Sequence, residues 1–109
     1  MNTSTFTAPH LAYEEAKRLR DRLIAQGVQV QEMYLFGSFA RETATVNSDI
    51  DILVVVDLLQ GPWKTEAIVR TEAQQIDTRL VTVCLSPAQF DERISSLARE
   101  VKHYGISVR

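Results

Sequence analysis

Apolar residues along this chain recur first at helical spacing, then at alternating spacing, and the period changes at glycines and prolines. From His10 to Gln26, Leu11, Ala12, Ala16, Leu19, Leu23 and Ile24 fall at helical intervals with charges between them, which predicts an amphipathic helix. Pro9 suits the first turn of that helix, and Gly27 is placed to close it in a left-handed cap. Val28 to Phe36 reads as a strand, strongest at Met33-Tyr34-Leu35-Phe36, and Gly37 breaks it. A short helix from Ser38 to about Glu42 is expected next, then a loop from Thr43 to Asn47.

Asp49 to Val56 is the clearest strand. Ile50, Ile52, Val54 and Val56 share one face, while Asp49, Asp51, Leu53 and Val55 share the other. The first face is apolar throughout; the second is acidic at its start and apolar later. Such a strand is buried on both sides except at one end, as a core strand delivering side chains to a site would be. Asp57 to Pro62 turns the chain. Trp63 to Ile76 follows as a helix, with Ala67, Ile68, Ala73 and Ile76 inward and Trp63 packing at the core or its edge. Arg79 to Leu85 reads as another strand. Ser86-Pro87-Ala88-Gln89 has the form of a capping box. It predicts a helix carrying Phe90, Ile94, Leu97 and Val101, with a break near Ser95-Ser96, an end at Gly105 and a short strand over Ile106 to Val108. Residues 1–8 are small and polar and are expected to fray, which leaves 9–109 as a single domain.

The 109-residue length fits one domain with one modest core. A net charge of −2 gives no general attraction to nucleic acid, so direct nucleic-acid binding is not expected. Cys84 is the single cysteine, which excludes an internal disulfide and a cysteine-based zinc cluster; inside LVTVCL it reads as a small buried hydrophobe. The first residues lack the charged and apolar regions of a signal peptide, and no apolar run reaches the roughly 20 residues of a membrane span. A cytoplasmic protein is the expectation, and a homo-oligomer is left open.

The chemistry concentrates in GSFARETATVNSDIDILVVV, where ten residues separate Gly37-Ser38 from Asp49-Ile50-Asp51. Same-face carboxylates on a strand lie about 6.5–7 Å apart. At an effective dielectric of about 20 they repel by roughly 2–2.5 kcal/mol. A divalent cation reverses that sign: magnesium takes one or two carboxylates and fills its octahedron with phosphate oxygens and water. Gly37, without a Cβ, allows the backbone close to a phosphate. Ser38 offers a hydroxyl, and the amides of the following turn point toward anions. Arg41 reads equally as a phosphate ligand or a solvated arginine, and Ser48 as a cap of the acidic strand or a functional hydroxyl. The combination is what a metal–nucleoside triphosphate site needs.

At these residues the chain resembles the minimal nucleotidyltransferases of the DNA polymerase β-like nucleotidyltransferase superfamily. Their pattern is Gly-Ser, ten residues, then Asp-x-Asp opening an apolar strand, often as Ser-Asp-Ile-Asp, which is Ser48-Asp49-Ile50-Asp51 here. SPAQF, LAREV and the closing GISV resemble the C-terminal half of the same family, so the likeness runs from about Leu11 to the end. The resemblance implies an α+β fold with a small mixed sheet flanked by helices. It implies Asp49 and Asp51 as catalytic residues and Mg2+ ligands, Gly37 and Ser38 on the phosphates of ATP or another nucleoside triphosphate, and Arg41 and Ser48 beside them. Many such domains are paired with a helical HEPN protein and resemble antitoxins that neutralise a HEPN ribonuclease, in some cases by AMPylation. The resemblance thus implies a HEPN partner.

The chain departs from the family pattern at two places. Glu42 follows Arg41 where glycine is frequent. More consequentially, active members carry a third carboxylate on the next strand, and aligning Arg79-Leu80 and Ser86-Pro87 with the pattern puts Val81 there. Asp57, six residues beyond Asp51, stands about 20 Å along an extended strand and is too far. Asp77 shares Val81's parity but lies roughly 13 Å upstream if extended; it reaches the site only through a bend and otherwise caps the turn. Glu42 or a partner's group are the remaining sources. His10 and His103 lack metal-ligand spacing, and Tyr34 and Tyr104 are expected to pack. The readings left standing are an adenylyltransferase acting on its partner, a catalytically weakened module that neutralises the partner by binding it, and a nucleotidyltransferase for small molecules.

Overall fold

The computed structural model describes residues 9–45, 47–57 and 61–109. Expectations for residues 1–8, for Val46 in the 43–47 loop and for 58–60 in the 57–62 turn lie outside the described residues. The elements run α1 (Pro9–Ala25), β1 (Val30–Phe36), β2 (Ile50–Val56), α2 (Pro62–Ile76), β3 (Leu80–Leu85), α3 (Ser96–Tyr104) and β4 (Ile106–Ser107). The strands form one sheet in the order β3-β2-β1-β4. β1 pairs antiparallel with β2 and with β4, and β2 pairs parallel with β3 through the α2 crossover. The architecture is the α+β mixed sheet expected from the sequence.

Alternation along β2 divides the interior into two layers. Ile50, Ile52, Val54 and Val56 pack with Ala12, Ala16, Leu19 and Leu23 of α1 and with Val69 and Ala73 of α2. Leu53 and Val55 pack on the opposite face with Phe90, Ala98 and Val101. Each side chain wholly withdrawn from water contributes about 1.5–3 kcal/mol, so β2, buried on both faces, is the strand least able to shift. Asp51 shares the Leu53–Val55 face at the open end of that strand.

The apolar stripe of α1 is narrower than its composition suggests. Ala12, Ala16, Leu19 and Leu23 are fully buried, while Leu11 and Ile24 are about half exposed because they flank the contact line. α1 closes as its glycine predicts. Gly27 has φ 83°, its N–H donates to Ile24 O, and Val28 N–H donates to Leu23 O, the paired bonds of a left-handed C-terminal cap. In α2, Val69 joins Ala73 in the core, and Ile68 and Ile76 pack partly against it. Trp63 is not a core residue: it is 78% exposed.

Two expected helices are not formed as such. Ser38–Glu42 is a single turn closed by Arg41 N–H on Gly37 O, and Glu42 ends it at φ 61°, outside the helical region. The capping box at Ser86 does form: Gln89 N–H donates to Ser86 Oγ, and Ser86 N–H donates to Gln89 Oε1. It opens turns rather than a helix. Asp91 accepts from Arg93 N–H and ion-pairs with its guanidinium, which settles that stretch as a local turn and leaves Ile94 74% exposed. The helix begins only at Ser96, capped by Ser95 Oγ accepting from Ala98 N–H at 3.0 Å. Gly105 then turns the chain into β4, and Val108 N–H donates to Met33 O.

Candidate active site

The site lies where β1 leaves the sheet and β2 enters it. Phe36 at the end of β1 is the register partner of Asp51, so Gly37 comes directly against the Asp51 side chain. Gly37 has φ 71°, and a Cβ built there would fall 2.2 Å from Asp51 Oδ2. Glycine is needed twice at this position: for the left-handed backbone and for the space the carboxylate occupies. The next residues hold the turn in place. Phe39, only 1% exposed, anchors it in the α1–α2 side of the core, and Ser38 O accepts Thr43 N–H at 2.8 Å. The donors used inside the turn are Arg41, Glu42 and Thr43, which leaves the amides of Ser38, Phe39 and Ala40 outside its hydrogen bonds. The role of the fully buried Phe39 as the turn's anchor was not legible in the sequence, because a single apolar residue in a turn carries no period.

Asp51 is half-buried, and Asp49, one residue before the first residue of β2, is exposed. Burial raises the Asp51 carboxyl above the ordinary carboxylate range, and the charges of Asp49 and of Glu100 on α3 raise it further. The position therefore favours a neutralising charge. Two carboxylates of this kind fit a hard divalent cation that completes its shell from phosphate and water. Among the described residues no three His, Cys, Asp or Glu side chains converge on one metal position.

The other expected contributors are arranged unequally. Ser48 Oγ accepts Thr45 N–H at 2.8 Å and Ser48 N–H donates to Thr45 O, so this hydroxyl ties down the loop that leads into Asp49. Arg41 is exposed and its guanidinium lies 4.2 Å from the centre of the Tyr104 ring, linking the turn to α3. Tyr104 is thus a surface stacking partner, while Tyr34 packs on Phe90 with ring centres 5.4 Å apart. Glu42 is exposed, as are His10 and His103. Cys84 is buried, and burial pushes its thiol up to about 12, far from a reactive thiolate.

The parallel register of β2 and β3 sets Val81 beside Asp51. The position that the sequence alignment assigns to a third carboxylate is thus the immediate neighbour of Asp51, and it carries an apolar side chain that is 41% exposed. Asp77 does not reach over to replace it. Its carboxylate accepts Arg79 N–H at 2.8 Å and ion-pairs with the Arg79 guanidinium at 2.9 Å, which holds it in the turn before β3 and pulls its pKa down to about 2.

Residues 16–108 match the family model described as a nucleotidyltransferase domain. Among solved structures, the chain is similar to one described as a nucleotidyltransferase from Sulfolobus solfataricus, with TM-score 0.63 and 18% identity over 98% of this chain and 87% of that one. It is also similar to a toxin–antitoxin structure with AMP-PNP, with TM-score 0.61 and 26% identity over 85% of this chain and 72% of that one. A comparison with curated proteins gives no match.

Proposed function

The chain belongs to the nucleotidyltransferase domain family, and on that premise we propose that it transfers AMP from Mg-ATP to a hydroxyl of a partner protein. The observation that carries this reading is the contact of Gly37 with Asp51, which puts a phosphate-accessible backbone against a carboxylate that seeks positive charge. Asp49 and Asp51 would hold Mg2+, which when bound polarises the transferring phosphoryl group. Gly37, Ser38 and the unused amides of their turn would seat the triphosphate. Arg41 adds positive charge at the rim, and Ser48 fixes the loop that delivers Asp49. The toxin–antitoxin relative with AMP-PNP supports a protein partner and an adenine nucleotide; we take the partner to be a helical HEPN protein, with this chain as its antitoxin. The test is incubation of the purified protein with Mg2+, ATP labelled at the α-phosphate and the helical protein encoded beside it. Label is expected on the partner and is expected to disappear with Asp51→Asn; no transfer under any divalent metal or nucleotide would sink the enzymatic reading.

Val81 beside Asp51 favours a second reading. Valine neither binds metal nor accepts a proton, so a domain that neutralises its partner by complex formation alone is the alternative. That reading expects the double variant Asp49→Ala/Asp51→Ala to protect cells from the partner as well as the unaltered protein does; loss of protection would count against it.

A further inference from the structure

We propose that Glu100 of α3 is the acid this site uses in place of the strand carboxylate absent at Val81, accepting the proton of the acceptor hydroxyl during nucleotidyl transfer. The inference rests on the transfer reading above and assigns a residue to a step that the Asp pair leaves without one. Leu97, Glu100, Val101 and Tyr104 fall at i, i+3, i+4 and i+7 and so form one stripe of α3. The residues around Glu100 in that stripe are all committed to the sheet or the turn. Val101 packs with Leu53 and Val55, on Asp51's face of β2, and Leu97 lies against the same cluster. Tyr104, one turn beyond Glu100, lies under the Arg41 guanidinium. α3 therefore crosses the site with Glu100 between its contact to β2 and its contact to the Gly37 turn.

The state of the side chain agrees with its placement. Glu100 is partly buried and has no hydrogen bond or ion pair among the described residues. The neighbouring cations of its own helix are turned to Glu92 instead: Lys102 ion-pairs with its carboxylate and Arg99 donates to its carbonyl. The charge of Glu100 is also felt at Asp51, which puts the two acids within electrostatic reach of one another. Glu100 does not join the aspartates as a third side chain around one metal position, so its assigned role is on the proton rather than the cation. In the step, the acceptor O–H bond breaks and its proton passes to the Glu100 carboxylate. The acceptor oxygen bonds to the α-phosphorus, and the bond from that phosphorus to the bridging oxygen breaks, so pyrophosphate departs with the electron pair.

The test compares the unaltered protein, Glu100→Gln, Glu100→Asp and Asp51→Asn in the label-transfer reaction, with calorimetric binding of Mg2+–AMP-PNP and thermal melting measured on each. Glu100→Gln is expected to lower kcat by about 10²–10⁴-fold, with the KM for ATP, the affinity for Mg2+–AMP-PNP and the melting temperature unchanged. Glu100→Asp is expected to recover part of the rate, and Asp51→Asn to lose nucleotide affinity as well as rate. A Glu100→Gln protein that transfers at the unaltered rate overturns the inference, and so does one whose rate falls together with nucleotide affinity or melting temperature. Nucleotide binding without transfer by the unaltered protein instead overturns the transfer reading itself, and the inference with it.

Discussion

Gly37 is the residue on which the local geometry turns. Its positive φ and the 2.2 Å approach that any Cβ would make to Asp51 Oδ2 act together. Gly37→Ala is expected to cost about 1–3 kcal/mol from backbone strain and to displace the Asp51 carboxylate, so denaturant unfolding and Mg2+–AMP-PNP affinity should both fall. An unchanged midpoint would show that the turn relaxes freely. The Gly-Ser and Asp-x-Asp residues were legible in the sequence because their types and spacing are chemical requirements. Glu100 was not, since a glutamate among the charges of LAREV reads as a solvated helix position. Only the packing of α3 across β2 brings it toward Asp51.

At the scale of elements, β2 and α1 follow from periodicity because one dominant interaction, burial of an apolar face, sets each of them. The stretch from Ser86 to Tyr104 is different. Its capping box is formed, yet the chain after it is held in turns by Asp91 and Arg93, and the helix waits for a second cap at Ser95. Local hydrogen bonds of similar strength compete there, and the pattern of apolar residues does not rank them. Ser95→Ala removes the bond to Ala98 N–H and is expected to destabilise the protein by about 1 kcal/mol, read as a lower denaturation midpoint. Because α3 carries Glu100, the same change is also expected to slow label transfer without weakening nucleotide binding. A midpoint equal to that of the unaltered protein would mean that packing alone holds the helix.

Across the whole molecule, polar groups join parts of the chain that are distant in sequence. Glu72 of α2, itself buried, pairs with Arg22 at 3.0 Å and accepts from Gln26 Nε2, tying α2 to α1. Glu15 of α1 meets the turn before β3. Burial, with Asp77 beside it, lifts the Glu15 carboxyl to about 7, and no donor reaches its Oε1. Arg79 in that turn supplies the carbonyl that accepts Ile50 N–H at 2.8 Å, between the two site aspartates. Between the ordinary glutamate value of 4.5 and about 7 the folded protein keeps a Glu15 proton that the unfolded chain has released, so stability falls as pH rises through that window. Asp77 acts oppositely, losing its contribution as pH falls from 3.8 toward about 2. Glu15→Gln is expected to flatten the decline in melting temperature between pH 5 and 7, by an amount worth about 1 kcal/mol or less after solvent screening. An unchanged pH profile would show that Glu15 does not set that decline. Among the described residues no helix is long and apolar enough to cross a membrane.

The sequence by itself determined the core strand that opens at Asp51 and the Gly37 turn, which are written in residue type and spacing that the chain carries before it folds. The mixed-sheet class came from the resemblance those residues carry to a family. Tertiary structure alone decided that Val81 stands in register beside Asp51, that Phe39 pins the turn, and that Glu100 of α3 comes within electrostatic reach of Asp51. Those facts depend on which strands pair and how α3 crosses the sheet. Contacts between residues far apart in sequence leave no period along the chain, so they are fixed only when the two packed layers close around β2.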